Sequence, residues 1–415
     1  MAITTGVRNE LADIDRALFD PLDRVARRDP YPLYARLREL APVFWSDTLG
    51  MWVATRYADC NQVLSSAAWS SDQRNARTRA ERLASRGIPG GGLSAGLAQT
   101  MMFMDPPDHT RVRAVVGRAF TPKRVAALRP AVDDMVDDLL APAVADGGFD
   151  VVSQFGTPLP IAVIGRLLGV PASDNALLTT WTLSIASMLD WIIPEDRFRA
   201  AGEALLEFCN YCLDLVAVRR KEPGDDLLSI MVHAQEDGGQ LSPGELLMTC
   251  VLLLTAGNLT TMNLLGTGTL TLLRHPETLA RLRDDPDVAD PLVDELLRYE
   301  SPAQMIPRTA LEDTEVGGRA IAKGDQLVAI AGAANRDPQE FVAADRFDVD
   351  RTDGKHLAFG HGIHFCLGAA LARLELRVGL GELARRFPNL ALVDDDPEWQ
   401  PTATARGLVS LPVTV

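Results

Sequence analysis

The sequence predicts a mainly α protein with small β-sheets, built as one large domain over residues 1–415. Three observations carry that prediction. From about Thr121 to Arg274 the pattern is almost wholly helical, broken only at Gly147-Gly148, Pro171 and Pro223-Gly224. Inside that stretch, Leu246 to Leu273 contains no charged residue. Strand-like runs are confined to Val43-Phe44-Trp45, Met51 to Thr55, a region near 305–333 and the chain after Leu390.

Composition narrows the function classes. Hydrophobic residues at 47% and charged residues at 23% are ordinary for a folded chain. A net charge of −15 argues against nucleic acid as a partner, because phosphate binding relies on a basic surface. The five cysteines, Cys60, Cys209, Cys212, Cys250 and Cys366, form no disulfide framework and point to a reducing cytoplasm. Cys209-Asn210-Tyr211-Cys212 has redox-motif spacing but no βαβ surroundings, so it reads as two neighbours one helical turn apart. Met1 to Glu10 lacks the apolar core of a signal peptide or membrane anchor, and residues 1–20 are expected to be loosely ordered.

Taken in order, residues 29–42 read as a short amphipathic helix, followed by two strands joined by a turn over Asp47 to Gly50. Arg74, Arg77, Arg79, Arg82 and Arg86 then lead into a loop at Gly87-Ile88-Pro89-Gly90-Gly91-Gly92. No Gly-Lys-Ser/Thr follows that loop, so it makes a poor phosphate cradle. At Leu241-Ser242-Pro243-Gly244-Glu245 a helix begins, with Ser242 as cap, Pro243 in the first position and Glu245 closing a capping box. The uncharged run after it is long enough for a membrane span. Its seven threonines, Asn258, Asn263 and three glycines, without an aromatic belt, favour instead a buried spine on the order of 45 Å long.

A further helix opens at Asp290-Pro291 and stops before Ser301-Pro302. It sets Glu295 and Arg298 on one face, which as a solvated pair would be worth under about 1 kcal/mol. Last comes Phe359-Gly360-His361-Gly362-Ile363-His364-Phe365-Cys366-Leu367-Gly368, running into a helical stretch that ends before Pro388. Cys366 falls near a helix N-terminus, which stabilises a thiolate, and the glycines let backbone approach something flat. An inert turn cysteine is the alternative. So is a zinc site with His361 and His364, which has no fourth ligand close by apart from His356.

The spacing Phe359-x-x-Gly362-x-His364-x-Cys366-x-Gly368 resembles the haem-binding loop of the cytochrome P-450 family. The resemblance implies haem b between the long central helix and the helix after the loop, with Cys366 as axial ligand to its iron. Phe359, Gly360, His364 and Gly368 would contact it. Ala256-Gly257-Asn258-Leu259-Thr260-Thr261 resembles the family's distal-helix motif, Ala-Gly-x-(Asp/Glu)-Thr-Thr. There Ala256 would open a groove, and Thr260 would be catalytic with Cys366, guarding the distal oxygen. Leu259 departs from the pattern, since it cannot relay protons as a carboxylate would.

Glu295 and Arg298 resemble the Glu-x-x-Arg signature, whose third member would be Arg346 in Ala344-Asp345-Arg346-Phe347, forming a structural network. By position, His109, Arg113, Arg308 and His364 would meet the haem propionates. Leu93, Leu252, Thr255, Ala256, Gln304, Met305 and Ile306 would line the substrate pocket, with Leu97, Met188, Leu189, Trp191 and Ile192 around it. The activity implied is monooxygenation of a small hydrophobic substrate with O2. Two electrons would come from a separate ferredoxin or flavodoxin with its reductase, meeting Arg111, Arg118 and Arg373. The expected protein is a cytoplasmic monomer without a membrane partner. A nitric oxide reductase-like member, a peroxide-driven member and a non-catalytic haem protein stand as alternatives, the first suggested by Leu259 and the arginines after Asp72.

Overall fold

The computed structural model describes residues 5–77, 100–190, 193–236 and 240–415. Leu93, Leu97, Trp191, Ile192, Arg79, Arg82, Arg86 and the glycine loop 87–92 lie outside the described residues. The chain divides into two compact units interleaved in sequence. One comprises Met1–Gly92, Asp294–Cys366 and Glu398–Arg406; the other comprises Leu93–Val293, Leu367–Pro397 and Gly407–Val415.

In the first unit, strands β1 (Val43–Ser46) and β2 (Met51–Ala54) form the expected hairpin, with Val43 opposite Ala54 and Gly50 in the left-handed region. β2 then pairs in parallel with β8 (Gln326–Ile330), and β8 pairs antiparallel with β5 (Met305–Ala310). β3 (Trp69–Ser70) closes the sheet, in the order β1-β2-β8-β5-β3. Every residue of β8 is buried, as expected of a strand in the middle of the sheet. Val43, Ala54, Cys60, Val63, Leu327 and Ala329 belong to the core beside it, to which the helix Tyr57–Ser65 contributes. The expected helix 29–42 forms over Tyr31–Leu40.

The N-terminal segment corrects its expectation of loose order. Thr5–Phe19 is a helix. Its Leu18 and Phe19 are fully buried, and Asp15 accepts hydrogen bonds from the backbone and hydroxyl of Thr48. Burial of two large apolar side chains at about 1.5–3 kcal/mol each is enough to order one end of such a helix.

The second unit is built around the central helix, Pro243–Leu273, which starts with the predicted capping box. It is the one described helix long and apolar enough to cross a membrane. Here it packs against helices Pro158–Leu168, Asn175–Ala186, Glu195–Lys221 and Ala369–Arg386. Its small residues permit close approach: a Cβ on Gly266 would stand 3.2 Å from Val152, and one on Gly257 would stand 3.3 Å from Ile164. Cys209 and Cys212 lie on Glu195–Lys221, where Cys212 hydrogen-bonds Cys250 of the central helix. That bond and burial push the Cys212 thiol well above its ordinary pKa, so the pair is apolar packing rather than a reactive motif. β4 (Gly148–Asp150), β10 (Pro412–Thr414) and β9 (Ala391–Leu392) form a small sheet in the order β4-β10-β9, which accounts for the strand signal after Leu390.

Candidate functional site

In the first unit, the loop before Cys366 is wound by its own backbone. The N–H of Gly360 donates to Leu357, that of Phe365 to Gly362, and that of Cys366 to the carbonyl of Phe359 at 2.9 Å. Gly362 has φ +72°, and a Cβ there would sit 2.7 Å from the carbonyl oxygen of Leu64, so only glycine fits. Gly360 also has positive φ, yet a Cβ on it would meet nothing closer than 3.9 Å. The open space beside Gly360 is bounded by Ile306 of β5. Arg308, two residues along, shares that face of the strand and is buried, with its guanidinium donating to the Pro307 carbonyl. His364 and Cys366 are half-buried.

Behind the loop, Arg298 donates five hydrogen bonds while only 2% exposed. Two go to Glu295, both at 2.7 Å, and three go to the carbonyls of Asn335, Ala344 and Arg346. The pair is therefore a buried fork rather than a solvated surface contact. The expected third member is corrected. Arg346 takes part only through its carbonyl; its side chain is 73% exposed. The second guanidinium on Glu295 belongs to Arg351, at 3.2 Å and 8% exposed. Ala343, with φ +48°, turns the chain so that its carbonyl and that of Val342 both accept from Arg351. Asn335 joins network to loop: its carbonyl accepts from Arg298, and its side-chain oxygen accepts from Leu357 N–H at 2.6 Å.

In the second unit, the central helix is buried from Met248 to Leu272 except at Ala256, Gly257, Leu259 and Thr260. That window is where the distal motif falls. Thr249, Thr255, Thr267, Thr269 and Thr271 each bond back to the carbonyl four residues earlier at 2.7–3.0 Å; Thr260 does so at 3.4 Å. Among these six threonines its hydroxyl is the one least committed to the helix. Asn258 turns the other way, fully buried, and its amide donates to Leu254 and faces Thr182. His109 is buried and Arg113 half-buried on the helix Asp108–Val116.

The pocket residues separate. Ala256 lies in the window, whereas Thr255, directly before it, and Leu252, one turn back, are buried. Ile306 stands beside the cysteine loop and Met305 is buried on the opposite face of β5. Gln304 is corrected: a buried amide must satisfy its polar atoms, and this one accepts from Tyr34 and donates to Ser301. Arg111 is also reassigned. It forks onto Glu245 at 2.6 and 3.0 Å and donates to the Gln240 carbonyl, so it clamps the start of the central helix. Arg74 and Arg77 are held by Asp72 and Asp325.

These donors fit a haem. Cys366 supplies a soft sulfur; the zinc arrangement is not formed, since among the described residues no three His, Cys, Asp or Glu side chains could hold a metal ion. Gly360 and Gly368 leave the space that a Cβ would take, with nothing within 4 Å of one built on Gly368. Arg113 and Arg308 carry guanidinium groups, and His109 and His364 imidazoles, of the kind that pair with carboxylates.

The comparisons with known proteins agree. The family model for cytochrome P450 matches residues 177–414. The chain is 39% identical to cytochrome P450 107B1 of Saccharopolyspora erythraea, over 99% of both proteins. It is 41% identical to the 6-deoxyerythronolide B hydroxylase of the same organism, over 93% of this chain and 96% of that one. Its fold matches the crystal structure of Mycobacterium smegmatis CYP164A2 with a TM-score of 0.88, at 37% identity over 97% of this chain and 100% of that one. The chain therefore belongs to the cytochrome P450 family and is a haem-thiolate monooxygenase, oxidising a small hydrophobic organic compound with O2 and electrons from a separate redox partner.

Proposed function

We propose that residues 1–415 form one P450 haem domain that hydroxylates a bulky, mainly apolar substrate over haem b held by Cys366. Bound through a thiolate, that haem supplies the binding and reductive activation of O2. The chain's own residues have three tasks. Phe359, Gly360, His364 and Gly368 form the loop against the ring, while His109, Arg113 and Arg308, with His364, take the propionates. Ala256 leaves room for the substrate, and Ile306 offers an apolar side chain beside the cysteine loop. Thr260 Oγ1 holds water or a proton for the oxygen, with Leu259 adding an apolar wall in place of an acid.

The observation that carries this reading is the window at Ala256–Thr260 with its loosely bound hydroxyl. Electrons come from a ferredoxin or flavodoxin, for which Arg118 and Arg373 are the remaining candidate contacts. The protein works as a cytoplasmic monomer.

The test is an optical titration of the ferric protein with apolar compounds, starting from 6-deoxyerythronolide B. A saturable low-spin to high-spin change followed by a hydroxylated product supports the proposal. A blank titration, combined with nitric oxide consumption driven by NADH alone, overturns it in favour of the reductase. Cys366→Ala is expected to abolish the thiolate-type spectrum of the reduced carbon monoxide complex, and an unchanged spectrum refutes the ligand assignment.

A further inference from the structure

One carboxylic acid has no place in the site just described. Glu375 lies on the helix Ala369–Arg386, which begins three residues after Cys366. It is 1% exposed, and its Oε2 has no hydrogen-bond partner among the described residues. One turn on, Gly379 marks the face that seats on the central helix: a Cβ there would stand 3.0 Å from Leu265, 3.2 Å from Phe155 and 3.5 Å from Leu159. Glu375, four residues earlier, shares that face.

Among the described residues no charged group compensates it. The helix packs against Pro122–Ala127, Arg129–Asp146, Pro276–Asp284 and the central helix. On the first, Lys123 and Arg124 are exposed; on the second, Asp133 takes Arg129 and Asp137 takes Arg386. Glu277 and Arg281 of the third are exposed, and Glu245 of the central helix takes Arg111. On its own helix, Arg377 reaches Asp290 and Arg373 lends its carbonyl to Arg377. Burial alone pushes the Glu375 carboxyl up, to about 8. A carboxylate in such a place is costly, so the group stays neutral until the solution is alkaline.

We propose that Glu375 is a positioning residue whose neutral carboxyl lets the helix after Cys366 seat on the central helix, and whose loss of a proton releases that seat and weakens the Cys366–haem bond. The proposal rests on the reading of Cys366 as haem ligand. Ionisation moves one proton to solvent and needs no other reactant. An apolar residue would seat as well as the acid but would not respond to pH, so the alkaline limit of thiolate ligation belongs to this one side chain.

The experiment follows the thiolate-type spectrum of the reduced carbon monoxide complex from about pH 7 to about pH 10 in the wild-type holoenzyme, Glu375→Gln and Glu375→Met. The wild-type protein is expected to lose the spectrum reversibly on the alkaline side. The two neutral variants are expected to keep it to a pH higher by about one unit or more. Coincident midpoints in all three overturn the proposal while leaving the ligand assignment intact. Failure of both neutral variants to show the spectrum at neutral pH also overturns it, because the neutral form is the one held to be competent. Absence of the spectrum from the wild-type protein at every pH sinks the ligand assignment, and the proposal with it.

Discussion

Replacing Arg351 with alanine tests the reassigned network, because Arg346 provides an internal control from the same segment. Arg351 donates to Glu295, Asp353 and the carbonyls of Val342, Ala343 and Arg346, with its side chain 8% exposed. After its removal Glu295 still accepts the Arg298 fork and the Asp348 N–H at 2.8 Å, so no charge is left bare. The loss is then that of buried charge-assisted bonds, about 1.5–3 kcal/mol. Arg298→Ala removes the principal partner of a carboxylate whose side chain is 3% exposed, and should cost more, about 3–5 kcal/mol. Arg346→Ala deletes an exposed side chain whose acidic neighbour is 4.0 Å away and should cost under about 0.5 kcal/mol. Urea unfolding of the three holo-variants, read as midpoint shifts at constant slope and alongside haem retained, gives the ranking Arg298, Arg351, Arg346. An Arg346→Ala cost equal to that of Arg351→Ala would refute the reasoning.

Three other outcomes are expected. Glu245 is held at about 2, chiefly by its hydrogen bond to Arg111, so its stabilising effect is full above its ordinary 4.5 and fades as pH falls towards 2. Glu245→Gln should cost about 2 kcal/mol at neutral pH and flatten the acid limb of an unfolding-versus-pH curve; an unchanged limb rules out the clamp. Leu259→Asp should raise product formed per electron consumed if protons limit turnover, and unaltered coupling would mean that another relay suffices. Gly362→Ala forces a Cβ into a left-handed residue against the Leu64 carbonyl and should cost about 2 kcal/mol or more in thermal or urea unfolding, with poorer haem retention. A near-neutral result would show that the loop relaxes.

Local chemistry made much of this legible. Ser242, Pro243 and Glu245 announced the start of the central helix, which the structure places at Pro243, because a capping box involves only neighbours. The cysteine loop was readable for the same reason, its turns being closed within eight residues. Arg351 was not. Its partner Glu295 lies 56 positions away, and nothing in the sequence chooses between two arginines five residues apart. Asn335, 22 residues ahead of Leu357, left no local trace either. Gln304 was misplaced because its position after the Glu295–Arg298 helix does not name the distant Tyr34 that occupies its amide. The N-terminal helix was missed because its anchor, Asp15 to Thr48, is a tertiary contact.

The parallel pairing of β2 with β8 has a consequence for synthesis. Trp52 must wait for Leu327, 275 positions later, before its strand gains that neighbour. At translation rates of roughly 5–20 residues per second, that delay is on the order of 15–55 s. During it, β1 and β2 can exist only as an isolated hairpin, marginal by itself and with an unpaired edge. The first 92 residues of the nascent chain are therefore the ones a holding chaperone has most reason to cover, whereas Leu93–Val293 brings most of its own partners with it.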